Sequence, residues 1–295
     1  MPSLARGLSM PSTLVTLRAR RRARGVRSSR LTIAVGVVLV VVVAPCLLAQ
    51  LTSPFDPTAL SSTRFAGPSA HHLFGTDELG RDLFSRVLYG GRLTVLIAAG
   101  ATAIAMALGA VWGMVAAFGR GLVDEVLMRI ADASMAIPQI LFAIVFVAAF
   151  GANAVRLSVI VGVLLTPTTA RLVRGAALVE LQSDYFAAAV AYGAPRYRLL
   201  LREVFPNLRA PFAVQAAINA ANAVILEAAL SFVGLGIQPP RASLGSLVRQ
   251  GYDQIYQSWT YVLFPTLVIF VTIWMLTLLA DQLSGGREFR GATGG

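Results

Sequence analysis

The chain has 295 residues, of which 56% are hydrophobic and 13% charged, with a formal charge of +11. An ordinary soluble domain carries about 25% charged residues, so the composition is that of a membrane-embedded protein. All 25 basic residues are arginine; with no lysine, the chain cannot carry a standard phosphate-binding loop, and any coupled ATP hydrolysis belongs to another polypeptide.

Residues 1–30 form a basic tail rich in arginine, read as an orientation-setting arm beside anionic lipid and not as a nucleic-acid binder. The first apolar segment, Leu31–Leu51, is longer than the roughly 7–15 residue core of a signal peptide and is read as a retained span. Cys46 lies inside it, alone and preceded by Pro45, as an apolar filler and not a lipid attachment site.

Residues 52–91 form an outer segment. It starts loop-like and becomes organised at His72-Leu73-Phe74-Gly75-Thr76-Asp77-Glu78-Leu79-Gly80-Arg81-Asp82. Thr76 is the expected cap of an amphipathic interfacial helix carrying Leu79, Leu83 and Val87, with Asp77 and Glu78 at its positive end. Gly90-Gly91 is expected to turn the chain into the next span. The His71-His72 pair is read as surface or interfacial, with no metal, and Asp77, Glu78 and Asp82 as capping and helix-surface groups without a catalytic partner.

Five more spans follow: Leu93–Phe118, Ile130–Phe150 with a kink expected near Pro138, Ala154–Thr169 containing Pro167, Pro211–Val233, and Trp259–Leu279. With the N-terminus inside, eighteen of the 25 arginines fall in inner segments, which by the positive-inside rule places both termini and the 171–210 loop in the cytoplasm. The expected architecture is all-α and integral to the membrane, with six transmembrane helices, a core over 92–281 and a short inner tail over 282–295.

The 171–210 loop reads as a short helix over Ser183–Tyr192, a turn at Gly193, a second helix, and Pro206-Asn207 leading into span five. So much ordered sequence between neighbouring spans points to a docking surface for a soluble partner. Span five carries Gln215, Asn219 and Asn222 on one face. These amides must face protein or water. Two readings stand together: hydrogen bonding between close-packed helices, and the wall of a hydrated path. Glu227 is a functional candidate as an ionisable group deep in a span, and a buried hydrogen-bonded group is its plainer alternative. Gly234-Leu235-Gly236 closes this helix and is not a nucleotide loop. Asp132 and Asp281, near the inner interface, receive no role.

Three motifs in fixed order resemble the C-type permease subunits of ABC importers for dipeptides, oligopeptides and nickel, over roughly residues 31–284. The outer signature is met at His72, Gly75, Thr76, Asp77, Leu79, Gly80, Arg81 and Asp82, and the Leu-Ser-Phe-x-Gly-Leu-Gly-x-Gln-Pro-Pro run from Leu230 to Pro240. The cytoplasmic loop is similar to the family's EAA coupling loop at Tyr185, Ala188, Ala189, Gly193, Ala194, Pro206 and Asn207. It departs at Ala187, where glutamate is usual, and at Glu203, where histidine is common.

The resemblance implies a type I ABC importer permease in the cell membrane, without catalytic residues. Its implied partners are a B-type permease subunit, one or two cytoplasmic ABC ATPase subunits, an extracytoplasmic solute-binding protein and the lipid bilayer. No cofactor is expected on this chain; ATP and Mg would be held by the ATPase subunits. Two alternatives are weighed: the same architecture carrying nickel or another small solute, and an ion-coupled secondary transporter. The latter calls for inverted repeats and paired intramembrane carboxylates, which the sequence does not display.

Overall fold

A computed structural model describes residues 31–119 and 121–291. The basic tail, Arg120 and the last four residues lie outside that range. The described chain is helical, without a strand beyond an isolated bridge between Thr76 and Asp82. In chain order the helices are α1 (Leu31–Leu47), α2 (Ala49–Thr52), α3 (Leu83–Gly119), α4 (Gly121–Ala136), α5 (Gln139–Phe150) and α6 (Ala154–Glu180). Then come α7 (Asp184–Ala191), α8 (Arg196–Leu199), a π-helical turn (Leu200–Val204), α9 (Phe205–Asn207), α10 (Arg209–Val233), α11 (Leu244–Asp253) and α12 (Thr260–Gly291).

Among the described residues, α3, α6, α10 and α12 are each long and apolar enough to cross a membrane, and α4 with α5 forms a further, broken span. The shorter α1 completes the six apolar segments read from the sequence. Besides α12, which runs past the expected Leu279 to Gly291, boundaries differ from expectation in three places, each for a physical reason.

The first is at the head of span two. No separate interfacial helix exists, and Gly90-Gly91 is not a turn: α3 is continuous from Leu83 to Gly119. A helix of 37 residues is about 55 Å long, well beyond the ~30 Å apolar core of a bilayer, so its first turns stand clear of the apolar layer. The two glycines serve close packing instead. A Cβ on Gly91 would sit 2.6 Å from Cys46 Sγ, and one on Gly90 would sit 3.1 Å from Leu247 Cδ1. Cys46 is thus the filler expected of it, seated on a glycine of the neighbouring helix.

The second is the third span. The expected kink is a break: α4 and α5 meet at 87° across Ile137-Pro138. Pro138 lacks the N–H an uninterrupted helix would use, and its ring disfavours a helical residue before it. The third is the end of span four. α6 runs past Thr169 to Glu180, with Pro167 inside it. Its added turns carry Arg171 and Arg174, which pair with Asp132 and Asp124 of α4. The two pairs tie α4, the first half of the broken span, to α6, and they give Asp132 the role that the sequence reading withheld.

The core forms where α3, α6 and α10 meet, around Ile97, Ala101, Leu157, Val161, Leu165 and Val224. α3 and α6 approach to backbone contact. A Cβ on Gly113 would lie 2.4 Å from the Ala170 carbonyl oxygen, and one on Gly162 would lie 2.8 Å from that of Ala101. Small residues at a helix interface permit this in a membrane, where apolar side chains alone supply no net drive to associate. α12 packs along α10 and α11.

Candidate functional site

Three constellations singled out by the sequence occupy three separate places: the outer segment, the middle of α10, and the connection between α6 and α10.

The outer motif folds into a clasp. Asp77 is at its centre and fully buried. Its Oδ1 accepts the backbone N–H groups of Leu79 (2.8 Å) and Arg81 (2.9 Å). Its Oδ2 accepts Arg81 Nε at 2.6 Å and a guanidinium N–H of Arg86. Arg86, itself buried, also donates to Tyr261 Oη (2.8 Å) and Gln250 Oε1 (2.9 Å). One carboxylate thus joins the loop to α3, α11 and the head of α12. Both charges are compensated several times over, as buried charges require.

The cap of α3 is Asp82 and not Thr76. Asp82 Oδ2 accepts the Ser85 backbone N–H at 2.8 Å and its hydroxyl at 2.7 Å, while Oδ1 meets His72 Nδ1 at 2.9 Å. Thr76 works earlier, donating to the Thr63 carbonyl (2.7 Å) and accepting the Ala66 N–H (2.9 Å). Gly75 and Gly80 have φ of +84° and +77°. A Cβ at either would come within 2.2 Å and 2.1 Å of the Ala66 and Ser61 carbonyl oxygens. His72, Gly75, Thr76, Asp77, Gly80, Arg81 and Asp82 therefore each have a structural task, and Asp77 and Asp82 are buried rather than on a helix surface.

The polar residues of α10 divide into two networks. Gln215 donates to Asn219 Oδ1 (2.9 Å), and Asn219 donates to Thr169 Oγ1 of α6 (2.8 Å). Both are buried. Asn222, about 60° round the helix from Asn219, is half-buried and makes no side-chain hydrogen bond among the described residues. Glu227 belongs to the second network. Its oxygens accept from Thr94 of α3 (2.9 Å) and Ser231 (2.7 Å). Ser243 Oγ donates on to Ser231 (3.0 Å), and Thr94 Oγ1 accepts the Leu244 N–H (3.2 Å). Glu227 thereby fastens α10 to α3 and to the start of α11. Below it, Gly234 closes α10 in the left-handed conformation, φ +97°.

The α6–α10 connection has a different character. α7 buries none of its residues. Phe186 is its anchor, half-buried and edge-on to Phe118 at the C-terminal end of α3, 6.5 Å between centroids. The chain turns at Gly193, φ +76°, where a Cβ would meet nothing within 4 Å. Ala194 N–H reaches back to the Ala189 carbonyl at 3.1 Å, completing the stop.

Three polar side chains hold the hairpin shut. Tyr185 Oη donates to Glu180 Oε2 at 2.6 Å, and Asn207 Nδ2 donates to Tyr185 Oη at 3.1 Å. Burial, then the neighbouring Glu180, raises the Tyr185 pKa, so the phenol stays protonated and donates. Outside the triad, Ala188, Pro206 and Tyr192 face outward, Tyr192 at 93% exposure, while Ala189 and Ala194 are half-buried. Ala187 and Glu203, where the sequence departs from the family pattern, are also exposed and lie outside the triad.

Sequence reasoning missed Arg86, Tyr261, Gln250, Thr94, Thr169 and Glu180. Only Arg86 left a signal, a charge four residues after Asp82 on the apolar side of the predicted helix.

Residues 105–285 match the family model described as "Binding-protein-dependent transport system inner membrane component". A candidate peptide transport system permease protein of Brucella suis is 40% identical over 270 residues, 91% of this chain and 90% of that one. The di/tripeptide transport system permease protein of Pseudomonas aeruginosa is 33% identical, covering 83% of each. The inward-facing MetNI methionine ABC transporter shares the fold, with TM-score 0.58 over 68% of this chain and 95% of the matched chain at 17% identity. The helical bundle with its inter-span hairpin is therefore that of an ABC importer permease. The chain belongs to the family of binding-protein-dependent transport inner membrane components, multi-pass membrane subunits that work with other transport subunits.

Proposed function

We propose that this chain forms half of the translocation path of an ATP-driven peptide importer and takes its power stroke through the α7–α9 hairpin. The observation that carries the reading is the hairpin itself. Its first helix is exposed, it is braced by Glu180, Tyr185 and Asn207, and it is anchored to the bundle through Phe186 and the buried Val204. Such a unit transmits a push to α6, α3 and α10 without deforming.

Tyr185, Ala188, Ala189, Gly193, Ala194, Pro206 and Asn207 are the coupling residues of this reading. One or two separate ABC ATPase subunits, binding ATP and Mg, seat against them. The hairpin and both termini face the cytoplasm, in line with the arginine bias. The clasp of His72, Gly75, Thr76, Asp77, Gly80, Arg81 and Asp82 faces the solute-binding protein. A B-type permease supplies the other half of the path. Gln215, Asn219 and Glu227 keep the α10 wall in register, and Asn222 presents its free amide to the path. Di- or oligopeptide cargo is supported by the relatives whose names carry it. Rigid rocking of the two bundles then alternates access.

Vesicles containing this chain, a B-type partner and the ATPases, with binding protein and labelled dipeptide outside, test the reading. Uptake should require ATP and should fall at least tenfold with Gly193→Val. Uptake driven by an ion gradient without the ATPases would contradict it.

A further inference from the structure

Beside the first turns of α3, where the helix passes from the clasp into its apolar run, lies a cavity of about 550 Å³. Arg86, Tyr89, Arg92, Leu93, Leu96 and Arg241 shape it, and no acidic residue lines it. Arg86 is already committed to Asp77, Tyr261 and Gln250. Arg92, half-buried, and Arg241, exposed at the rim, are not: neither makes an ion pair or a side-chain hydrogen bond among the described residues.

A half-buried guanidinium at the mouth of an apolar span calls for a counter-charge. One turn deeper, on the same face, Leu96 is half exposed, and Ala99 and Ala103 continue an open, shallow track down α3. The site is therefore cationic at its rim and apolar below. A soluble anion would satisfy the arginines and leave the leucines bare. An apolar helix would cover the leucines and leave the arginines unpaired. A phospholipid does both. The nearest acid, Asp56, lies outside the lining and is engaged by Thr58, so with two unpaired arginines at the rim an anionic headgroup fits best.

We propose that this cavity binds one anionic phospholipid. Its phosphate lies between Arg92 and Arg241, within reach of the Tyr89 phenol, and an acyl chain follows Leu93 and Leu96. The site stands apart from the coupling hairpin and does not depend on which solute is carried.

The test is native mass spectrometry of the full chain released from neutral detergent with equal phosphatidylglycerol and phosphatidylcholine. One phosphatidylglycerol should be retained, preferred about tenfold or more given the attraction of two arginines for an anionic lipid. The double variant Arg92→Gln/Arg241→Gln should lose that preference at an unchanged melting temperature, and Arg92→Lys/Arg241→Lys should keep most of it. If the glutamine pair does not fold, the wild-type preference and its survival in the lysine pair decide. Equal retention of the two lipids overturns the proposal. So does displacement of the lipid by millimolar inorganic phosphate or a dipeptide, which would mark a site for soluble anions. Loss of the lipid on co-expression with a B-type permease would make the cavity a subunit interface and equally overturn it.

Discussion

The clasp and the hairpin cap opposite ends of the same bundle, and they are built by opposite rules. In the clasp the charges are inside. Asp77 is fully buried and Arg86 nearly so, each with several partners drawn from four parts of the chain. In the hairpin the polar groups are outside, α7 buries nothing, and three side chains from adjacent segments do the bracing. A region stitched by long-range buried charges is fixed in shape and gives way only with the whole fold. A region whose first helix stays exposed, and which is seated by Phe186, Val204 and Leu199 rather than by buried charges, keeps its shape locally and leaves surface free for a partner. On the proposed reading, the contrast separates a fixed anchor from a surface that meets a partner.

The sharpest way to break this comparison is Asp77→Ala. It leaves Arg86 and Arg81 buried without their counter-charge, a loss of about 3–5 kcal/mol. Thermal unfolding in detergent should show a protein that is largely unfolded or aggregated at growth temperature; a melting temperature near wild type would mean the clasp is not a buried anchor. Next in size, Asn219→Ala unpairs Thr169 and Gln215 and should cost about 1–3 kcal/mol, whereas Asn222→Ala should change stability by less than about 0.5 kcal/mol. The same melting assay compares them, and transport assays should then find Asn222→Ala the more informative of the two. Equal destabilisation would place Asn222 inside the helix contacts.

Gly193→Val probes the other pole. The side chain meets no neighbour, so its cost is the left-handed backbone alone, roughly 1–2 kcal/mol, confined to the hairpin. The expected outcome is normal membrane assembly and melting with ATPase association lost, read by co-purification. Retained association would show that the turn geometry is dispensable. Smallest of all, Tyr185→Phe removes one hydroxyl bridge worth about 0.5–1.5 kcal/mol. Amide exchange across residues 184–194 should quicken several-fold with the bundle unaffected; unchanged exchange would mean that the apolar contacts of Phe186 and Val204 hold the hairpin without the hydroxyl bridge.

The same contrast explains what the sequence could say. The hairpin was legible almost residue by residue, because its determinants are local: a turn glycine, a helix before it, Pro206-Asn207 after it. The clasp was visible as a motif but misassigned in its parts. Thr76 has the chemistry of a helix cap, yet the helix starts six residues later at Asp82. What decides this is that the Thr76 hydroxyl is taken by Thr63 and Ala66, ten and more residues upstream, while Asp82 is free to cap Ser85. Gly90-Gly91 looked like a turn because glycine before a span usually is one; the reason for it is Cys46 and Leu247 pressing from other elements. Span four looked short because Arg171 and Arg174 break the apolar run, and only their partners Asp132 and Asp124 show that the helix continues. Along α10 the amides announced themselves as a stripe, but periodicity cannot tell which of them a neighbouring helix covers.

Hydrogen–deuterium exchange on the full chain in nanodiscs, with a B-type partner and with or without the ATPase subunits, tests the central claim most directly. Binding of the ATPases should slow exchange across residues 184–194 and 205–207 and leave residues 61–86 unchanged. Protection that appears at the clasp, or none at the hairpin, would contradict the account.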